Sequence, residues 1–419
     1  MTARTESRGT PPERLALNGG TPVRATPYRW PRYDDSERRA VLEVVDSGHW
    51  SFDGPREAEL AQALSAYLGI ECAIPVASGT AALDIALAAL DLRPGDEVIL
   101  PALTWTAPAR AVVVNGGVPV FADIDPRTWC LDPAAVEAAI TARTRGILVV
   151  HTYAHIADMD RLLDLAHDHG LFVVEDCAHV FGARWRHRAA GTLGRIGCFS
   201  FQQSKTMTAG EGGLAVTADP HLADRLYGLM NCGRKRRPEA DRWFGGNYRL
   251  TEFQAAILRA QLRRVDDHIA AKTRQVANFR AGLGEIPGLT LHDPDPRITR
   301  RNFIALPLTI DTREFAGTCT DLIVTALAAE GVPVFLPHPV VYRAPAWVAG
   351  RRQYPGPRSL GADARCPVGE HVAEKAGIVI AHEAFLDRWP DTADLLDAVD
   401  KVRRLSGTIP RDARDTRRI

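Results

Sequence analysis

Between Cys72 and Asp176 the chain alternates short apolar runs with segments whose apolar residues recur at helical spacing. Ala73–Ala77 reads as a strand, and Thr80–Leu90 (TAALDIALAAL) carries apolar residues at i, i+3, i+4 and i+7, the signature of a helix. Pro94-Gly95-Asp96 marks a turn before the strand Glu97–Pro101. The pattern then predicts a helix over Ala107–Asn115, a strand over Val118–Ile124 and a helix over Pro133–Ile140 opened by Asp132 as N-cap. A strand Gly146–His151, a helix Asp158–His169 and a strand Leu171–Asp176 complete the series. Repeated strand–helix–strand units with nearly continuous apolar strands imply an α/β fold, its mostly parallel central sheet covered on both faces.

After Asp176 the pattern changes. Ile196–Phe201 and Gly213–Thr217 read as short strands around a Gly-rich turn, a local hairpin or antiparallel addition. One long helix is expected from Thr251 to Leu283, capped by Thr251 ahead of Glu252-Phe253-Gln254. From Gly288 the reading is α+β: strand Phe303–Leu308, helix Asp321–Glu330, strand Val332–Phe335 and a last helix Asp391–Arg404. The expected organisation is a large unit over 15–287 and a smaller C-terminal α+β unit over 288–410. The polar ends, 1–14 and 411–419, read as disordered.

Composition narrows the function. The 419 residues include 51 basic and 51 acidic side chains, which gives no electrostatic reason to expect nucleic acid or an anionic membrane as partner. Seven scattered cysteines without a C-x-x-C pair argue against a disulfide framework and a zinc site, so no metal is expected and a reducing compartment fits. No apolar h-region precedes Arg14 and no apolar stretch approaches the roughly 20 residues of a membrane span; a cytoplasmic protein is expected. Lysine occurs only at 205, 235, 272, 375 and 401, so the candidates for an amine nucleophile are few. Lys235 lies in the basic run Arg234–Arg237, which reads as a solvated loop, and Lys272, Lys375 and Lys401 read as solvated faces.

In open parallel sheets ligands bind beyond the carboxyl ends of the strands. Ser78-Gly79-Thr80 follows a strand and opens a helix, either as an anion site built from free amides and two hydroxyls or as an ordinary N-cap. Asp176 ends an apolar strand, where a carboxylate needs a partner; a protonated pyridine nitrogen and a helix amide are the rival partners. Lys205 leaves the apolar Phe199-Ser200-Phe201 and enters Thr208-Ala-Gly-Glu-Gly-Gly213. There partial burial can lower an amine's pKa enough for attack on an aldehyde. Trp105, beyond the strand ending at Pro101, either stacks on a flat ring or packs in the core.

Taken in order, these features resemble the DegT/StrS family of pyridoxal-phosphate (PLP) dependent sugar aminotransferases, over about Trp30 to Trp389. The resemblance rests on Ser78-Gly-Thr-Ala-Ala-Leu83, Pro94-Gly-Asp-Glu-Val-Ile99 and His151 through Asp158-Met-Asp160. It continues through Glu175-Asp-Cys-Ala-His179, Phe199-Ser-Phe…Lys205…Gly-Glu-Gly-Gly213 and Gly246-Asn-Tyr-Arg-Leu250. It implies an aspartate-aminotransferase-like large domain with the cofactor as a Schiff base on Lys205. Asp176 would pair the pyridine nitrogen, and Ser78, Gly79, Thr80 and Ser200 would surround the phosphate. Trp105 would cover one ring face, and His179, where the family more often has Gln, would lie near the 3-hydroxyl. Asn247 would reach the partner's phosphate across a homodimer interface. Relatives that dehydrate deoxysugars carry His at the lysine position, so Lys205 implies amino transfer.

Ala16-Leu-Asn-Gly-Gly-Thr-Pro-Val-Arg24, Trp30-Pro-Arg-Tyr-Asp34 and Asn231-Cys-Gly-Arg234 resemble the cyclitol branch, the L-glutamine:scyllo-inosose and 2-deoxy-scyllo-inosose aminotransferases of aminoglycoside pathways. A nucleotide-linked ketosugar aminotransferase, a 3-amino-5-hydroxybenzoate synthase and a catalytically inactive PLP-binding regulator are the other readings. Ala154 stands where the family usually has Gly. Tyr342, His338, His382 and Arg234 are the expected acceptor contacts.

Overall fold

The computed structural model describes residues 13–51, 53–350, 361, 363–386 and 391–411. The ends expected to be disordered lie outside these residues, except for 13, 14 and 411. From Cys72 the chain lays down β1 (Cys72–Val76), β2 (Glu97–Pro101), β3 (Val118–Ala122), β4 (Thr144–Val150) and β5 (Phe172–Asp176). A short ribbon of β6 (Arg184–Trp185) and β7 (Arg188–Ala189) follows, then β8 (Ile196–Ser200) and β9 (Gly213–Thr217). Seven of these strands form one sheet in the order β1-β9-β8-β5-β4-β2-β3. Neighbours from β8 through β3 are parallel, while β9 runs against both β1 and β8. The expected hairpin is therefore present, but it sits inside the sheet: β8 extends the parallel run and β9 is inserted between β8 and β1.

Alternation along each strand divides the core into two layers. Ile147, Val149, Val173 and Phe199 pack on one face, and Leu148, Val150, Val174 and Cys198 on the other. Both faces are covered, as the continuous apolar runs require.

The single helix expected over 251–283 is two, Glu252–Leu262 and Val265–Leu283. At the break, Arg264 Nη1 is 2.6 Å from Asp34 Oδ2 and Gln261 Nε2 is 2.6 Å from Glu37 Oε1. These contacts tie the turn to the capping box at the start of the helix Asp35–Ser47. Asp266 and Asp267 open the second helix, where acidic side chains complement a new N-terminal dipole.

A second sheet holds β10 (Leu289–Thr290), β12 (Ala305–Ile310), β13 (Val334–Phe335) and β14 (Gly377–Ala381) in the antiparallel order β10-β12-β14-β13. Between the first two, β11 (Ile298–Arg300) pairs with β6. The core around this sheet also takes in Leu15 and, from the helix Val265–Leu283, Val276, Phe279 and Leu283.

Two lysines expected on solvated faces are buried. Lys272 is 1% exposed and Lys401 is 6% exposed. Lys401 Nζ lies 2.8 Å from Glu330 Oε2 and donates to Thr21 O, partners too distant in sequence for local polarity to reveal.

Candidate active site

Three strand ends meet at residue 78. Ser78 caps the helix Gly79–Ala88, its Oγ accepting from Ala81 N at 3.1 Å. The amides of Gly79 and Thr80 open this helix with no carbonyl behind them to bond, and they carry the positive end of its dipole. The N-cap reading therefore holds, and the open amides lie directly beside the cap. Glycine makes this approach possible. A Cβ on Gly79 would stand 2.7 Å from Ser200 Cβ, and one on Gly213 would stand 2.3 Å from the Ser78 carbonyl. Ser200 is thus held against Gly79, close to the open amides of the helix start, a setting that would suit a small oxyanion.

Asp176 ends β5 and is 7% exposed. Its Oδ1 accepts from Ala178 N at 3.0 Å, and Oδ2 has no hydrogen-bond partner among the described residues. Burial raises its pKa; the Ala178 amide and the charge of Lys205 oppose the rise. Half-buried Lys205 follows β8 in a turn closed by Lys205 N donating to Gln202 O at 2.9 Å. Burial lowers its ammonium to about 8 against the pull of Asp176. The amine makes no hydrogen bond among the described residues, so a nucleophile available near neutral pH faces a carboxylate with one open oxygen.

A wall of rings adjoins this pair. His179 Nδ1 accepts from Tyr153 N at 3.1 Å, which leaves the hydrogen of the neutral ring on Nε2. Burial, with Lys205 and His338 nearby, holds its pKa well below the ordinary value. Tyr153, His179 and His338 form a three-ring cluster, with centroids 5.4 Å (Tyr153–His179), 5.8 Å (Tyr153–His338) and 6.0 Å (His179–His338) apart. The Tyr153 hydroxyl accepts from His338 N at 2.9 Å. Trp105 tilts against His338 at 5.5 Å and is 49% exposed, so it is not packed in this chain's core.

Lys205, Asp176 and His179 are thus brought together beside the cup of Ser78, Gly79, Thr80 and Ser200, with Trp105 and His338 along the wall. Tyr342 is not among them. Its ring packs on Phe121, and its hydroxyl donates to Glu370 Oε1 at 2.6 Å and accepts from Cys366 N at 3.0 Å. His382 is buried behind the lysine turn, edge-on to Trp30 at 4.4 Å. Arg234 lies on an exposed loop, and the Arg236 and Arg237 of that loop both grip Asp224. Asn247 is exposed; its segment runs beside β1, where Ala77 N donates to Tyr248 O at 2.8 Å.

Tyr153 was missing from the sequence reading. It follows β4 with a φ of 53°, a left-handed conformation that no local residue pattern announces. Ala154, at the position of the family's glycine, is buried, and its carbonyl accepts from Arg301 Nε at 3.0 Å. Among the described residues one group has metal-ligand character, His151, Glu175 and Cys177. Hydrogen bonds already account for it: Glu175 accepts from His151 Nε2 at 3.0 Å and from the amides of Gly191, Leu193 and Gly194.

A lysine of lowered pKa opposite an underbonded carboxylate, beside an aromatic wall, is an arrangement suited to carbonyl chemistry through an amine. The chain belongs to the DegT/DnrJ/EryC1/StrS aminotransferase family, whose model matches residues 31–378. A putative L-glutamine:3-amino-2,3-dideoxy-scyllo-inosose aminotransferase of Streptoalloteichus tenebrarius is 40% identical over 93% of this chain and 98% of its own. An L-glutamine:2-deoxy-scyllo-inosose aminotransferase of the same organism is 38% identical over 95% of this chain and 99% of its own. The crystal structure of 3-amino-5-hydroxybenzoic acid synthase matches with a TM-score of 0.81 at 32% identity, over 91% of this chain and 99% of that one. The protein is a transaminase with the aminotransferase α/β fold.

Proposed function

We propose that this transaminase uses PLP to move the amino group of L-glutamine to a keto-cyclitol of the scyllo-inosose type, in the making of an aminoglycoside-type antibiotic. The observation that carries the cofactor is the fit of its parts to groups left open here. The oxyanion cup suits the phosphate, Asp176 Oδ2 suits a protonated ring nitrogen, and the Lys205 amine suits the aldehyde. Bound there, PLP would supply an electron sink for the carbanion formed at the donor's α-carbon. Asp176 would hold a proton on the ring nitrogen, its own burial penalty offset by that positive charge. His179 Nε2–H and the Trp105 indole would line the ring. The Lys205 amine would hold the aldehyde and carry the donor's α-proton; burial lowers its pKa to about 8, which leaves a share of it unprotonated near neutral pH.

The activities named for the relatives support the donor and acceptor. His338 is the one acceptor contact that the geometry supports. Arg236 and Arg237, the basic side chains that could otherwise meet the diphosphate of a nucleotide-linked ketosugar, are committed to Asp224. The reading includes a homodimer with Asn247 reaching the partner's phosphate, a large unit over 15–287 with a smaller one over 288–410, and a cytoplasmic setting that suits seven free thiols. No described helix is long and apolar enough to cross a membrane.

The test begins with borohydride reduction of the PLP-loaded protein followed by peptide mapping. Label on the Lys205 peptide is expected, and label elsewhere overturns the site. L-Glutamine is then supplied with scyllo-inosose, 2-deoxy-scyllo-inosose or a nucleotide-linked 4-ketosugar. Turnover confined to the ketosugar would replace the cyclitol reading.

A further inference from the structure

Lys272 lies on the helix Val265–Leu283 with 1% of its surface exposed. A buried ammonium ordinarily stands against a carboxylate, since leaving water is otherwise costly. Lys401 follows that rule with Glu330. Lys272 does not. The carboxylate whose field reaches it is Glu383, and the two form no ion pair. Its Nζ donates instead to Thr206 Oγ1 at 3.2 Å and to Phe303 O at 2.8 Å, and Thr206 Oγ1 donates to the same carbonyl at 3.1 Å. The amine is thus held by these directed hydrogen bonds and by the Phe303 ring, 5.0 Å from Nζ.

Those bonds close on the residue after Lys205. Upstream, Trp30 Nε1 donates to Gln203 O at 2.7 Å, and Ser204 N and Oγ both donate to Gln202 Oε1 at 2.8 Å. Downstream, the Lys272–Thr206–Phe303 triangle anchors the residue after Lys205, and Thr208 Oγ1 ties the next residues back to Phe201 O at 2.9 Å. Phe303 leads into β12, so the triangle joins three parts: the turn bearing Lys205, the helix Val265–Leu283 and the second sheet.

We infer that Lys272 is a positioning residue for Lys205: through Thr206 it fixes the backbone that aims the reactive amine, and it ties that aim to the second sheet. This rests on Lys205 being the amine that performs the transfer. A proton moved between two carbons by one amine requires that amine in register with both, and a displacement of about 1 Å costs on the order of 100-fold in rate.

The experiment uses full-length PLP-loaded Lys272→Met, Thr206→Val and Thr206→Ser. Thermal melts, PLP occupancy, kcat and KM for L-glutamine, and the rate at which the apoprotein captures PLP are measured on each. Lys272→Met and Thr206→Val are expected to stay folded and PLP-loaded, with kcat and PLP capture lowered about tenfold or more and KM within about threefold. Thr206→Ser, which restores the hydroxyl, is expected to recover most of kcat. Wild-type kcat in folded Lys272→Met and in Thr206→Val overturns the inference while leaving the proposed function standing. If Lys272→Met fails to fold, Thr206→Val decides alone: a wild-type kcat overturns the inference and a lowered one supports it. A wild-type protein that captures no PLP defeats the proposed function and this inference together.

Discussion

Two consecutive carboxylates, Glu175 and Asp176, end β5, and the pleat sends them to opposite faces of the sheet. Glu175 is fully buried and takes four donors: the His151 ring and the amides of Gly191, Leu193 and Gly194. Burial pushes its pKa up, and those donors outweigh it, so the carboxyl titrates below its ordinary 4.5. Asp176 is almost as buried, yet it takes one amide and titrates above its ordinary value. On one face the fold completes a hydrogen-bond set; on the other it leaves an oxygen open opposite a free amine. Saturation suits Glu175 to a structural role, and the unused acceptor position suits Asp176 to the proposed chemical one.

The sharpest test removes the amine. Lys205→Ala is expected to lose about 10⁴-fold or more in kcat while staying folded and holding PLP without a covalent bond. Asp176→Asn keeps the shape and removes the charge; about 100-fold in kcat should go, with melting little changed. Its neighbour should behave in the opposite way. Glu175→Gln is expected to keep kcat of the folded fraction within about twofold while costing about 1–3 kcal/mol in urea unfolding. The sign of its pH dependence follows: a carboxyl lowered by folding stabilises above its unfolded pKa, and that stability is lost as pH falls through the folded value. Wild type should therefore lose more stability than Glu175→Gln on acidification below 4.5. A subtler measurement is the rate at which apoprotein captures PLP. It should rise with pH around a midpoint of about 8 rather than the ordinary 10.5, because the neutral amine is the nucleophile. The smallest effect is assigned to the basic loop. Arg236→Ala should leave kcat/KM within about twofold, whereas a large loss with a wild-type melt would restore the nucleotide-sugar reading.

Much of this was legible in the sequence, and the physical reason is locality. Strands β1 to β5 carry nearly continuous apolar runs and came within a few residues of their observed bounds. Lys205 and Asp176 could be picked out because their settings, an apolar strand leading to a turn or a tip, are written in adjacent residues. What failed depends on distant partners. Lys272 and Lys401 read as solvated because Thr206, Phe303 and Glu330 are far away in the chain. The break at Arg263-Arg264 was hidden because Val265 and Ile269 continue the apolar register while the contacts that fix it come from Asp34 and Glu37. The helix Asp35–Ser47 buries only Glu37 and Val44, too thin a stripe to stand out. Tyr342 and His382 have the chemistry of contacts, but packing turned them elsewhere.

The reversed strand β9 has a consequence for how the protein is made. Because β1 pairs with β9 and not with its sequence neighbours, Cys72 must wait for Thr217 before the first strand has a place in the sheet. Pairings so remote in sequence form late, since the loop between them must close first. The cup is assembled by that same event: Ser78 meets Gly213 and Gly79 meets Ser200 only when β9 docks. A nascent chain therefore lays down its apolar strands well before Ser78, Gly79 and Ser200 are gathered, and the proposed phosphate site waits on the docking of β9.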